Sequence, residues 1–179
     1  LRARGREMRS IDADLMSPLE RTLDLLRHLI LPAVALGLYN AGATLRIAQS
    51  DGCCSTATLT VANGFTNQGL IELSNQYVGA YSAQLNVTNG TLVNAAGATI
   101  SSIGGQTPDG GRTLNAQLDN QGALVVQEPL TINRANSAHL SSGTIDLSAN
   151  LTVLQSGTPA TFANSGAITI GAGRTFTVS

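Results

Sequence analysis

The chain has 179 residues, of which 12% are charged and 3% aromatic, with a formal net charge of −1 and no lysine. So small and balanced a charge share, about half the usual one, excludes electrostatic capture of nucleic acid. With so few aromatics, a core has to be built from Leu, Ile, Val and Ala, which suits a narrow stacked interior better than a bulky globular one.

Charge is concentrated at the N-terminus, where residues 1–50 hold Arg2, Arg4, Arg6, Arg9, Arg21, Arg27 and Arg46. Ser17-Pro18-Leu19-Glu20 reads as a helix start, with Ser17 as N-cap and Pro18 at the first helical position. An uncharged run, Leu29 to Leu45, follows between His28 and Arg46. It is at the lower limit for spanning a bilayer, and its Pro32, Gly37 and Gly42 are tolerated in membrane helices. Three readings stay open for it: a membrane helix, an export signal with Ala41-Gly42-Ala43 as the small-x-small cleavage pattern, and a helix capping one end of a stack. Six arginines before the run and one close behind it put the N-terminus inside and the rest outside, if the run enters a membrane.

The stretch Arg27-His28-Leu29-Ile30-Leu31-Pro32-Ala33-Val34-Ala35-Leu36-Gly37-Leu38 resembles a membrane segment of dipeptide/oligopeptide ABC-transporter permeases, over roughly residues 16–47. In that family a cytoplasmic coupling loop follows; here a repeat region follows instead. Cys53-Cys54 are adjacent, a spacing that strains a ring disulfide. With His28 and His139 as the sole histidines, they lack the partners a metal site needs.

From Ser55 onward one phrase keeps returning. Phe65-Thr66-Asn67-Gln68-Gly69-Leu70-Ile71-Glu72-Leu73 reappears as Leu118-Asp119-Asn120-Gln121-Gly122-Ala123-Leu124-Val125-Val126. It returns again as Phe162-Ala163-Asn164-Ser165-Gly166-Ala167-Ile168-Thr169-Ile170. Leu92-Val93-Asn94-Ala95-Ala96-Gly97-Ala98-Thr99-Ile100 is one residue longer, and Leu140-Ser141-Ser142-Gly143-Thr144-Ile145-Asp146-Leu147 is degenerate. Gly69, Gly97, Gly122, Gly143 and Gly166 are 28, 25, 21 and 23 residues apart. Such a period is the mark of a stacked repeat.

A second series, Leu59-Thr60-Val61, Leu85-Asn86-Val87, Leu130-Thr131-Ile132, Leu151-Thr152-Val153 and Phe176-Thr177-Val178, alternates apolar and polar at period two. Each is a short strand with one buried and one wet face, too short to stand alone. Stacking pairs the backbones and buries an aliphatic column. The inward set is Leu59, Val61, Ile71, Leu73, Leu85, Val87, Ile100, Leu114, Leu124, Val126, Leu130, Ile132, Ile145, Leu147, Leu151, Val153, Phe162, Ile168, Ile170, Phe176 and Val178. The expected corner positions are Asn67, Gly69, Asn94, Gly97, Asn120, Gly122, Gly143, Asn164 and Gly166. Here glycine can take positive φ, and asparagine tolerates left-handed backbone and bonds nearby amides. Stacking also sets the asparagines above one another, where their amides can form a ladder.

These repeats resemble those of bacterial right-handed β-helix surface proteins, such as autotransporter passengers and filamentous-haemagglutinin-like adhesins, over about residues 55–179. The loop Ile103 to Arg112 breaks the period and is expected to protrude. The pattern stops in mid-coil at Ser179, so further coils are expected beyond it.

An enzyme on such a scaffold needs clustered carboxylates. Glu72, Asp109, Asp119, Glu128 and Asp146 fall in different coils and phases, with Asp119 read as a turn residue and His139 as a misfit corner residue. The expectation is a mainly β protein: a single-stranded right-handed parallel β-helix of about five coils of 21–28 residues over residues 51–179, after an α-helical segment over residues 1–50. Its role is structural or adhesive, secreted or displayed on a bacterial surface, with no catalysis, cofactor or metal. Expected partners are a membrane through residues 29–45, cell-surface or extracellular-matrix ligands and neighbouring solenoid coils, but not nucleic acid. The alternatives are a fragment of a peptide-transporter inner-membrane permease and a polysaccharide-binding or polysaccharide-degrading β-helix.

Overall fold

The computed structural model describes residues 42–49, 56–77, 79–105 and 110–179. The helical, membrane and export expectations for residues 1–41, the Cys53-Cys54 pair and Asp109 lie outside them. Among the described residues no helix is long and apolar enough to cross a membrane.

Among the described residues, fourteen strands wind into a parallel β-solenoid of about five turns. They are β1 (Thr44–Gln49), β2 (Ala57–Asn67), β3 (Leu70–Asn75), β4 (Ala83–Asn94), β5 (Thr99–Ser102), β6 (Arg112–Asn120) and β7 (Ala123–Val126). There follow β8 (Leu130–Asn133), β9 (Ala138–Ser141), β10 (Thr144–Leu147), β11 (Leu151–Leu154), β12 (Thr161–Asn164), β13 (Ala167–Ile170) and β14 (Phe176–Val178). Each coil has three walls. The first wall stacks the front halves of β2, β4 and β6 on β8, β11 and β14. The second stacks their rear halves on β9 and β12. The third is the sheet β1-β3-β5-β7-β10-β13.

All pairings are parallel, so every strand between the ends of the stack has the coil above and the coil below as neighbours, and period-two alternation becomes vertical columns. One column runs Leu45, Ile71, Ile100, Leu124, Ile145, Ile168. Another runs Leu59, Leu85, Leu114, Ile132, Val153, Val178. Leu73, Leu85, Ile100, Leu114, Val126, Leu151 and Val153 have no exposed surface. At the C-terminal end the inward columns emerge into solvent: Phe162, Ile168 and Phe176 are half-buried, and Ile170 and Val178 are 49% and 43% exposed. Those last two depart from the inward expectation because the described residues place no further coil over them. Phe162 and Phe176 meet edge-on there, with ring centroids 5.2 Å apart.

The stack starts earlier than the composition suggests. Thr44–Gln49 pairs residue for residue with Leu70–Asn75. Residues 44–49 therefore belong to the solenoid, although the apolar run and the permease-like stretch extend into them. The Thr-Leu-Arg-Ile alternation there is a strand pattern, with Ile47 6% exposed in the core.

The repeat glycines are needed for a different reason from the one expected. Gly69, Gly122, Gly143 and Gly166 are not among the residues with positive φ, and Asn136 is the sole non-glycine residue that is, among those described. They are pressed against the coil above. A Cβ on Gly143 would lie 2.0 Å from the Gly122 carbonyl oxygen, and one on Gly166 would lie 1.9 Å from that of Gly143. Gly97 is different: it takes φ +84° in a turn closed by the Ala98 amide on the Ala95 carbonyl (2.9 Å). The extra residue in that repeat puts Ala98, not Gly97, in the column between Gly69 and Gly122, since Thr99 is in register with both Leu70 and Ala123.

Gly143→Ala is expected to cost about 3 kcal/mol, the upper end for overpacking, because its contacts are rigid backbone. At Gly111 a Cβ would meet nothing within 4 Å, so alanine there should be tolerated to within about 0.5 kcal/mol. Urea midpoints of the two variants check this.

Candidate functional site

The corner between the second and third walls carries a buried polar ladder. Asn67, Asn94 and Asn120 end β2, β4 and β6 with their side chains turned inward, at 7%, 0% and 0% exposure. Asn67 Nδ2 donates to Asn94 Oδ1 (2.8 Å), Asn94 Nδ2 donates to Asn120 Oδ1 (2.8 Å), and Asn120 Nδ2 donates to Ser141 Oγ (3.3 Å). Each amide also donates to the first carbonyl of a third-wall strand one coil on: Thr99, Ala123 and Thr144 at 3.0, 3.0 and 3.1 Å. The ladder thus fixes each coil's bend to the next coil. Asn164 lies outside it, exposed and bonded to the Gly166 carbonyl (2.8 Å).

A second polar centre sits where the sequence reads as loop. Arg112 is the first residue of β6, 1% exposed, in the inward column between Ala83 and Leu130. Its Nε donates to the Leu73 and Ile103 carbonyls (both 3.2 Å), Nη1 to Gly110 (2.7 Å) and Tyr81 (3.3 Å), and Nη2 to Ile103 (3.0 Å). The guanidinium ties the Leu73 carbonyl in β3 to the Tyr81, Ile103 and Gly110 carbonyls, which lie just outside the strands. The near ends of the 103–112 loop are therefore stacked rather than free: a Cβ on Gly105 would strike the Asn75 carbonyl at 1.4 Å. The signal is present in the sequence. Ala83-Gln84-Leu85-Asn86, Arg112-Thr113-Leu114-Asn115 and Leu130-Thr131-Ile132-Asn133 are one phrase, which puts Arg112 inward.

Arg134, in the β8–β9 turn, reaches back two coils and donates to the Val87 carbonyl and to that of Thr88 (2.6 Å). It can do so because β6 is short at that corner. Asn86 and Thr91 are in register with Asn115 and Gln117, so three more residues bulge from β4 than from β6.

Glu72 and Asp146 do not meet. Glu72 forms an ion pair with Arg46 across β1 and β3. Asp146 shares its outer column three coils away, about 14 Å at the usual strand spacing, through Ser101 and Val125. Paired carboxylates that cleave a glycosidic bond stand about 5–9.5 Å apart. Asp119 is a strand residue rather than a turn residue, in β6, and accepts from Gln121 Nε2 (2.8 Å). It borders a shallow groove of about 270 Å³ with Leu140, Ser142, Ala163, Asn164 and Ser165. Among the described residues no group of three or more His, Cys, Asp or Glu could hold a metal ion.

The remaining surface is regular. On the outside of the first wall, Thr58, Gln84, Thr113, Thr131, Thr152 and Thr177 form one unbroken register column, all uncharged. Beside it Asn115 Nδ2 donates to Asn86 Oδ1 (2.8 Å), and Asn86 Nδ2 donates to Thr60 Oγ1 (3.2 Å). Each such column offers one weak hydrogen-bonding group per coil. No family model matches the chain, and neither a curated protein nor a solved structure matches it.

Proposed function

We propose that the chain is a secreted or surface-displayed bacterial β-solenoid with a structural or adhesive role, of the kind its repeats resemble in autotransporter passengers and filamentous adhesins. The observation that carries this reading is the uncharged, Thr-rich column on the first wall, repeated at every coil and locked in register. One polar group per coil binds weakly, but linked weak contacts multiply, and avidity exceeds single affinities by about 10²–10⁴. A scatter of separated carboxylates suits acid–base chemistry poorly. Outward display fits the arginine-rich flank before Leu29.

The test is retention of chain-coated beads on cell-surface polysaccharide and matrix protein, as a function of coating density. Retention should climb steeply with density. It should stay within a few-fold when Glu72, Asp109, Asp119, Glu128 and Asp146 are replaced one at a time. A single carboxylate whose loss abolishes turnover of a polysaccharide would replace this reading with an enzyme. A reporter fused after Ser50 should be exported, and its retention in the cytoplasm would remove the surface location.

A further inference from the structure

In the second wall's inward column, Phe162 is in register with His139. Leu118 precedes the pair Asp119 and Leu140 on the other side. The imidazole is 2% exposed, so it is a core residue in β9 and not the misfit corner residue expected from sequence. Its Nδ1 accepts the Leu118 backbone N–H (3.2 Å), and its Nε2 is buried without a partner. Accepting at Nδ1 requires the neutral ring with its proton on Nε2.

We propose that His139 is an acid-sensitive joint in the fourth coil, closed while the ring is neutral and opened when it takes up a proton. A second proton would set an Nδ1–H against the Leu118 N–H, two donors face to face, inside an aliphatic column. The surrounding charges do not relieve it. Asp119 on β6 turns to the outer face and is bonded by Gln121, Asp146 on β10 is exposed, and β12 carries no charged residue. Arg134, at the head of the turn into β9, is itself cationic. Burial first, and the Arg134 charge second, push the His139 pKa below its ordinary 6.5. The unfolded chain therefore takes up the proton at a higher pH than the folded one. Stability is lost as pH falls below about 6.5, and the loss levels off only below the folded-state value.

The experiment is urea unfolding of the full chain between pH 7.5 and 5, with hydrogen exchange of β6, β9 and β12 at each pH. His28→Gln removes the other histidine and serves as the background. In that background the unfolding constant should rise by up to tenfold per pH unit below 6.5, the limit for one proton, with protection lost first at β9. His139→Phe, the residue that Phe65 and Phe162 already supply to this column, should flatten the slope. His139→Gln, which keeps an acceptor for Leu118 and cannot titrate, should flatten it too and covers the case of a phenylalanine variant that fails to fold. An acid slope unchanged in either folded variant, or opening that begins elsewhere than β9, overturns the proposal.

Discussion

Leu124→Asp is expected to unfold the middle of the stack. Leu124 is 1% exposed, between Ile100 and Ile145 in the third wall's inner column. The substitution forfeits about 1.5–3 kcal/mol of apolar burial and puts an unpaired carboxylate among methyl groups, which costs several kcal/mol more. The sum rivals the whole stability of an ordinary domain, about 5–15 kcal/mol. Asp at Thr131 is the control, since Thr131 is half-buried on the outer face. It should shift the urea midpoint little. Limited proteolysis should cut the Leu124 variant between β5 and β10 and spare the Thr131 variant. Equal sensitivity would mean the strand faces are reversed.

Asn94→Leu should be the next most damaging change, although leucine is the more apolar residue. Asn94 is fully buried, accepts from Asn67 and donates to Asn120 and the Ala123 carbonyl. Leucine leaves those groups buried without their partner, at about 1–3 kcal/mol for each one unsatisfied. Asn67 Nδ2 keeps the Gly69 and Thr99 carbonyls (3.2 and 3.0 Å), so the cost falls chiefly on the two acceptors below, about 2–6 kcal/mol together. Asn164→Leu, at the exposed end of the series, should fall within about 1 kcal/mol. Thermal midpoints of the pair measure the difference. Similar losses at Asn94 and Asn164 would mean that the asparagines matter locally and not as a ladder.

The strands are legible in the sequence because a parallel stack with one wet face imposes period two on every wall. Leu85-Asn86-Val87 and Leu130-Thr131-Ile132 can hardly be read otherwise. What the alternation does not show is why each exception is there. Glycine marks a turn and a close approach with the same letter, so Gly97 and Gly143 look alike, while one needs positive φ and the other needs room for a carbonyl. Arg112 looks like loop because a charge at an inward position contradicts the pattern, and only the backbone carbonyls of Leu73, Tyr81, Ile103 and Gly110 make it tolerable. His139 stands in the place of Phe65 and Phe162, but its burial depends on packing that no single repeat contains. At Thr44 the strand alternation is continuous with the apolar run before it, which hides the first rung of the stack.

If the coil is the unit of the fold, stacked in register, whole coils should be removable and half coils should not. Spin labels at Thr58 and Thr177, the two ends of the outer Thr-rich column, test this most directly. Five strand spacings separate them, about 24 Å, and deleting residues 121–141 removes one coil while joining Asn120 to Ser142 in register. The shortened chain should melt cooperatively, with the label distance reduced by one spacing, about 4.8 Å. Deleting residues 121–131, half a coil, should abolish the melt, because the following strands then meet the wrong wall. An unchanged label distance after the full-coil deletion, or equal damage from both deletions, would contradict the stack.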